Sequence, residues 1–213
     1  MKLYMVSGLG ADDLVLQKIV FPEGIEPVFI PWLMPEKDEN LEHYAQRMAE
    51  SIDSSEPFCL LGYSFGGILV QEIHRIKPAQ KIIILGSVKS PLEYSHLINI
   101  GRRFQLPKLL PLRFFNEKST LAYSFVRKIF DPENPKLLQY FRVKDPYYLK
   151  WSMHQVVNWK NKPIDVPIYQ IMGDRDIVFP INKCQPDYVI KGGTHLFPVT
   201  KSKELSKILS KIL

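Results

Sequence analysis

Apolar residues fall along the chain in two alternating rhythms. Short runs rich in β-branched and aromatic residues occupy 2–7 (KLYMVS), 26–30 (EPVFI), 58–63 (FCLLGY), 81–86 (KIIILG), 166–172 (VPIYQIM) and 187–190 (DYVI). Each has the length and composition of a strand. The third to fifth are nearly continuous in apolar residues, the pattern of strands covered by helices on both faces. Between them, 39–54 and 65–77 carry helical spacing. In 200–212, Leu205, Ile208, Leu209 and Ile212 share one face with lysines opposite, which predicts a closing helix docked on the sheet. The alternation predicts an α/β fold, a doubly wound and mainly parallel sheet of about six strands with right-handed crossovers.

The rhythm breaks between about Ser87 and Lys162. No buried strand pattern occurs there; prolines recur (Pro91, Pro107, Pro111, Pro132, Pro135, Pro146) among helical fragments. In KDPYYLKWSMHQVVNW, Asp145 is placed to cap a helix whose first position is Pro146. The organisation expected is one structural domain with a helical lid inserted: core residues 1–87, lid 88–162, core residues 163–213. Residues 91–160 also hold 13 of the 25 aromatic side chains. Most of these rings are expected to pack the lid itself, and some to line a pocket beneath it.

Composition adds little to this picture except at two points. The chain of 213 residues is 46% apolar and 23% charged, ordinary for one globular domain. Its net charge of +6 is local, because ten Lys/Arg face three acids between Gly101 and Lys144, a net +7. That basic stretch suggests an anionic partner, such as a carrier protein, an acyl-coenzyme A or an anionic membrane surface, against the plainer reading of a solvated face. No nucleic-acid partner is expected. Cys59 and Cys184 lie far apart without ligand spacing, so free thiols are expected, Cys59 as a buried small hydrophobe. The first ten residues are too sparsely apolar for a leader or a membrane span, and the expected compartment is the cytoplasm.

The stretch LLGYSFGGIL (60–69) carries the chemistry. A strand, then Ser64 between Gly62 and Gly66, then a helix is the setting in which G-x-S-x-G forms a nucleophile elbow. Both glycines are explained if the backbone is too crowded there for a Cβ, and Phe65 N–H then lies at the positive end of the helix, facing a developing oxyanion. An acid follows a later strand in IYQIMGDRDIVFP, as Asp174 or Asp176. A base follows the last strand in DYVIKGGTHLFP, as His195. Of five histidines, His43, His74, His96 and His154 all precede the acid. The loop VSGLGAD after the first strand offers a second oxyanion donor, with Leu9 N–H the candidate. GLG there is not a dinucleotide site: Asp13 stands where the third glycine belongs, and Asp12 and Asp13 repel a pyrophosphate. Neither HExxH nor paired cysteines are present, so no metal and no cofactor are implied.

SGLGAD, LLGYSFGG, IMGDRDIVFP and GGTH, with helices between the sheet strands, resemble the α/β-hydrolase superfamily over essentially the whole chain. The chain looks like a compact member that starts at the strand feeding the oxyanion loop, without the two preceding antiparallel strands. Ser7-Gly8 stands where many relatives have His-Gly. The resemblance implies Ser64 as nucleophile, His195 as base and, from the pattern G-x-x-D, Asp176 as the orienting acid. It implies a serine esterase forming an acyl-enzyme from an apolar acyl or aryl ester or thioester. A lyase or C–C hydrolase on the same three residues, and a non-enzymatic ligand receptor on the same scaffold, are the alternatives.

Overall fold

The computed structural model describes residues 1–115, 131 and 137–213. Six strands, β1 (Lys2–Val6), β2 (Glu26–Phe29), β3 (Phe58–Tyr63), β4 (Lys81–Leu85), β5 (Ile168–Gly173) and β6 (Tyr188–Ile190), form one sheet in the order β2-β1-β3-β4-β5-β6. All five pairings are parallel. Side chains alternate between two cores, as the pleat demands. Tyr4, Val6, Leu60, Ile82, Ile84 and Met172 face one way, against α1 (Leu41–Ala49) and α2 (Phe65–Ile76). Leu3, Met5, Leu61, Ile83, Leu85 and Ile171 face the other way. There they meet Val15 and Leu16 and the last helix (Ser202–Ile212), which buries Leu205, Ile208, Leu209 and Ile212 as its pattern predicts.

Chain order and strand order together locate a crevice. From β1 the chain leaves toward β2 on one side, and from β3 it leaves toward β4 on the other. The carboxyl ends of β1 and β3 therefore flank a topological switch point, where open α/β sheets place their ligands. Val6 pairs with Gly62 and Gly62 with Ile84, so the ends of β1, β3 and β4 lie level.

The helix expected over 39–54 is shorter, for a local reason. Asn40 caps α1 by accepting a bond from His43 N–H at 2.8 Å. Glu39 is held outside the helix because its buried carboxylate accepts bonds from the Arg47 guanidinium and from Glu36 N–H.

Between β4 and β5 every described element is helical. Two 3₁₀ turns, Pro91–Glu93 and Leu112–Phe115, bracket α3 (His96–Arg103) and α4 (Leu106–Leu109), and a third, Leu137–Tyr140, leads to α5 (Pro146–Asn158). Asp145 caps α5 through Tyr148 N–H at 2.9 Å, with Pro146 in the first turn. α5 is fastened at several points. Trp151 Nε1–H donates to Glu39 O (2.7 Å), and Trp159 Nε1–H to Glu72 (2.8 Å). Just ahead of the helix, Val143 N–H donates to Gly10 O (2.9 Å). Of the basic stretch, Lys118, Arg127, Lys128 and Lys136, with the acids Glu117 and Glu133, lie outside the described residues. The two helices that close the chain are α6 (Phe197–Thr200) and α7 (Ser202–Ile212). Both cysteines are free thiols, Cys59 buried. Among the described residues no helix is long and apolar enough to cross a membrane.

Candidate active site

Ser64 sits between β3 and α2 with φ 54° and ψ −119°, one of three described non-glycine residues at positive φ. Such a backbone costs on the order of 1–3 kcal/mol and persists only where its surroundings over-determine it. Here they do. Ser64 N–H donates to Leu85 O, its carbonyl accepts from Gly67 N–H (both 2.9 Å), and Ser87 Oγ–H donates to the same carbonyl at 2.7 Å. The surrounding glycines are steric. A Cβ on Gly62 would lie 2.3 Å from Gly66 O, where strand and helix pass. A Cβ on Gly66 would lie 2.3 Å from Ser7 O and 2.4 Å from Val6 O, so the crowding at that position comes from the neighbouring strand β1 rather than from β3. Gly67, a third member that the short motif does not include, leaves room for Ser87: a Cβ there would come within 2.4 Å of the Ser87 hydroxyl.

Asp176 and His195, the candidate acid and base, arrive from loops at the carboxyl ends of β5 and β6. Gly173 and Gly193 pass so closely that a Cβ on the first would lie 2.2 Å from the carbonyl of the second. Arg175 N–H also donates to Gly193 O at 2.9 Å. This contact sets Asp176 against His195. His195 Nε2 lies 2.9 Å from Ser64 Oγ and His195 Nδ1 lies 2.7 Å from Asp176 Oδ2. The second carboxylate oxygen accepts from Val178 and Phe179 N–H at 2.8 and 3.1 Å, which fixes its rotamer. Of the two aspartates, Asp176 therefore faces the histidine. Asp174 is exposed and turns back to accept Gly192 N–H at 2.6 Å. Ser64, Asp176 and His195 are all buried.

Tyr63 was not singled out by sequence reasoning, since it reads only as the last apolar residue of β3. Its phenol donates to His195 O at 2.9 Å and its ring lies 5.4 Å from the imidazole. Burial, reinforced by the Asp176 and Asp131 carboxylates, pushes this phenol well above its ordinary pKa, so it remains a protonated donor.

The loop after β1 reaches the same place. A Cβ on Gly8 would lie 3.2 Å from Ser64 Cβ. Ser7 Oγ–H donates to Ala11 O (2.7 Å), Trp32 Nε1–H lies within bonding distance of both Ser7 Oγ (3.0 Å) and Ala11 O (2.9 Å), and Ala11 N–H closes the turn on Gly8 O. The Ser7 hydroxyl and the Trp32 indole thus brace the loop carrying Leu9. Trp32 stacks on Phe65 with centroids 5.4 Å apart and planes 8° apart, and Tyr148 packs on Trp32 at 5.5 Å. Trp151 stands edge-on to Phe65 at 6.3 Å. The four rings make a packed aromatic cluster around Phe65, the residue after Ser64. Trp32 follows β2 in IPWL, and its place at a strand's carboxyl end was the available sequence signal.

One further cluster, Glu36, Glu39 and His43, brings possible metal-ligand atoms within 4.8 Å of one another. It belongs to the cap of α1, where Arg47 already pairs with Glu39 at 2.9 Å, and it takes no part in the Ser64–His195–Asp176 chain.

Gly66→Ala is expected to abolish the folded state or cost more than about 4 kcal/mol, because backbone oxygens cannot yield as a side chain does. Gly101→Ala, in α3 with Val157 at 3.5 Å the only neighbour of the new Cβ among the described residues, is expected to stabilise by about 0.5–1 kcal/mol. Chemical denaturation of both variants checks the contrast. Tyr63→Phe is expected to remain folded while losing about 1 kcal/mol, because the bond to His195 O is lost. The same denaturation curves would read that effect.

No protein-family model matches the sequence, and no curated protein is significantly similar to it in sequence. Solved structures are similar over its whole length. MenH from S. aureus superposes with a TM-score of 0.75 at 17% identity, covering 100% of this chain and 93% of that one. A lipase-esterase related protein from Clostridium acetobutylicum gives 0.72 at 15% identity, covering 100% and 94%. An alpha/beta hydrolase fold protein from Burkholderia ambifaria gives 0.72 at 15%, covering 100% and 89%. At these identities the likeness is one of architecture, and with the parallel sheet and the elbow already described it establishes that this chain has the α/β-hydrolase fold.

Proposed function

We propose that the protein is a serine hydrolase that cleaves a carboxylic ester or thioester with a small to medium apolar acyl or aryl group, through an acyl-enzyme. The observation that carries this reading is the unbroken hydrogen-bonded line from Ser64 Oγ through His195 to Asp176, set behind a strained turn at a helix N-terminus. His195 Nε2 takes the Ser64 proton as Oγ attacks the carbonyl. The C–O or C–S bond to the leaving group then breaks as His195 returns the proton to it. Water, deprotonated by the same nitrogen, attacks the acyl-enzyme, and Ser64 is released with its proton. Asp176 holds the imidazole in the tautomer with Nδ1–H and stabilises the imidazolium.

In this reading Phe65 N–H, at the first position of α2, and Leu9 N–H, on the loop braced by Ser7 and Trp32, receive the oxyanion. The cluster of Trp32, Phe65, Tyr148 and Trp151 supports an apolar acyl or aryl group. The insertion at 88–162 is read as the lid that excludes water, since its described helix α5 carries two of these rings. The fold-level likeness to a lipase-esterase related protein agrees with ester chemistry.

The test is hydrolysis of p-nitrophenyl esters of increasing acyl length. Ser64→Ala and His195→Ala are each expected to lower kcat/KM by about 10⁴-fold or more, with a double variant no worse than either, because the two act as a unit. Asp176→Asn is expected to cost about 10²- to 10⁴-fold, and Asp174→Asn less than about threefold, since its carboxylate serves a turn. Equal losses in the two aspartate variants would overturn the assignment of the acid. Absence of turnover at every length, with the protein folded, would move the reading to a lyase or a ligand receptor.

A further inference from the structure

The strongest feature that hydrolysis leaves unused is the outer surface of α3, α4 and the turn after them. The inner side of this unit is committed. Gly101 of α3 abuts Val157 of α5, and the Gln105 side chain bonds to Asn158 at 2.8 Å. The outer side carries Leu97, Ile100 and Phe104 at helical spacing, followed by Leu106, Leu109 and Leu112, all exposed; Phe104 shows 59% and Leu109 72% of its surface. Contiguous exposed apolar side chains of this kind mark interaction surfaces.

Among them stand the exposed Arg103, Lys108 and Arg113, and between Ser95 and Phe115 the sequence contains no Asp or Glu. Among the described residues none of these three cations is in an ion pair. The combination discriminates between partners. An acidic carrier protein satisfies the cations but leaves six large apolar side chains against a polar surface. A second copy of this chain covers the apolar side chains but sets three cations against three. A bilayer with anionic headgroups satisfies both, since aliphatic and aromatic side chains enter the boundary between headgroups and acyl chains while guanidinium and ammonium groups remain at the phosphates.

We propose that the surface formed by α3, α4 and the Leu112–Phe115 turn docks the protein on anionic membranes, with Leu97, Ile100, Phe104, Leu109 and Leu112 as the inserting residues. Through Gly101 and Gln105 this surface is tied to α5, whose Trp151 lies against Phe65 beside Ser64. The docked face and the candidate nucleophile thus belong to one continuous layer, and the ester presented to it is an amphiphile partitioned into the bilayer. The binding itself is independent of the hydrolase reading.

The experiment is co-sedimentation of the Ser64→Ala protein with vesicles of phosphatidylcholine alone or mixed with phosphatidylglycerol, so that failure of ester chemistry does not enter the readout. Partitioning onto the mixed vesicles is expected to be about tenfold stronger or more, and to weaken as salt rises. Phe104→Ser with Leu109→Ser, and separately Arg103→Gln with Lys108→Gln, are each expected to reduce it by about tenfold without moving the thermal transition, since these side chains are exposed. Equal binding to both vesicle types, or none to either, overturns the proposal. Binding that survives Phe104→Ser with Leu109→Ser also overturns it, since the apolar side chains would then insert nowhere and the vesicles would be held by charge alone. A concentration-dependent dimer abolished by that variant overturns it in favour of a second copy.

Discussion

Behind Ser64 three backbone segments meet at a separation no Cβ permits, and the rest of the site depends on that contact. The end of β1 touches α2 at Gly66, the end of β3 touches α2 at Gly62, and the turn after β4 reaches in over Gly67. With the chain held from three sides, the residue between strand and helix has one route, through φ 54°. The strain is borne by a residue whose amide, carbonyl and hydroxyl each have a defined partner: Leu85, Ser87 with Gly67, and His195. Backbone sterics are stiffer than side-chain packing, so a hydroxyl placed this way is held without conformational search.

The same device recurs on the acid–base side. Gly173 and Gly193 allow the loops after β5 and β6 to touch, and Asp176 and His195 then meet at 2.7 Å. Gly86, at the end of β4, lies against this pair: a Cβ there would lie 3.3 Å from the Asp176 carboxylate and 3.5 Å from His195 Nδ1. The Tyr63 phenol ties the histidine loop back to β3. The site is thus built from the level carboxyl ends of parallel strands, with loops supplying chemistry and the sheet supplying the spacing. A parallel sheet gathers residues far apart in sequence at one edge because every strand points the same way.

Among the described residues between β4 and β5, Val143, Trp151 and Trp159 are tied to this edge by polar contacts to Gly10, Glu39 and Glu72, and Trp151 and Tyr148 by aromatic contacts. α5 is therefore packed beside the Ser64 turn, whereas α3 and α4 carry exposed apolar side chains and cations.

The sequence by itself determined the six strands, the helices on either side of them and the order Ser64, acid, His195. Each of these is recorded locally, in hydrophobic period, in glycine placement or in capping residues such as Asp145. It also marked Gly62 and Gly66 as crowded, since two glycines around a serine have few other uses. The pattern G-x-x-D already favours Asp176 over Asp174, but only the tertiary structure shows what holds Asp176 on His195, the contact of Gly173 with Gly193 and the Val178 and Phe179 N–H donors, because nothing local records what lies opposite. Likewise Tyr63, Ser87 and Trp32 look in the sequence like ordinary strand-end residues, and Gly67 like an ordinary residue of a helix's first turn. They become supports of the site only when parallel strands bring their ends level. The start of α1 was misjudged for the same reason: Glu39 is polar and helix-compatible, but Arg47, a turn and more away, together with Glu36 N–H, holds it outside the helix.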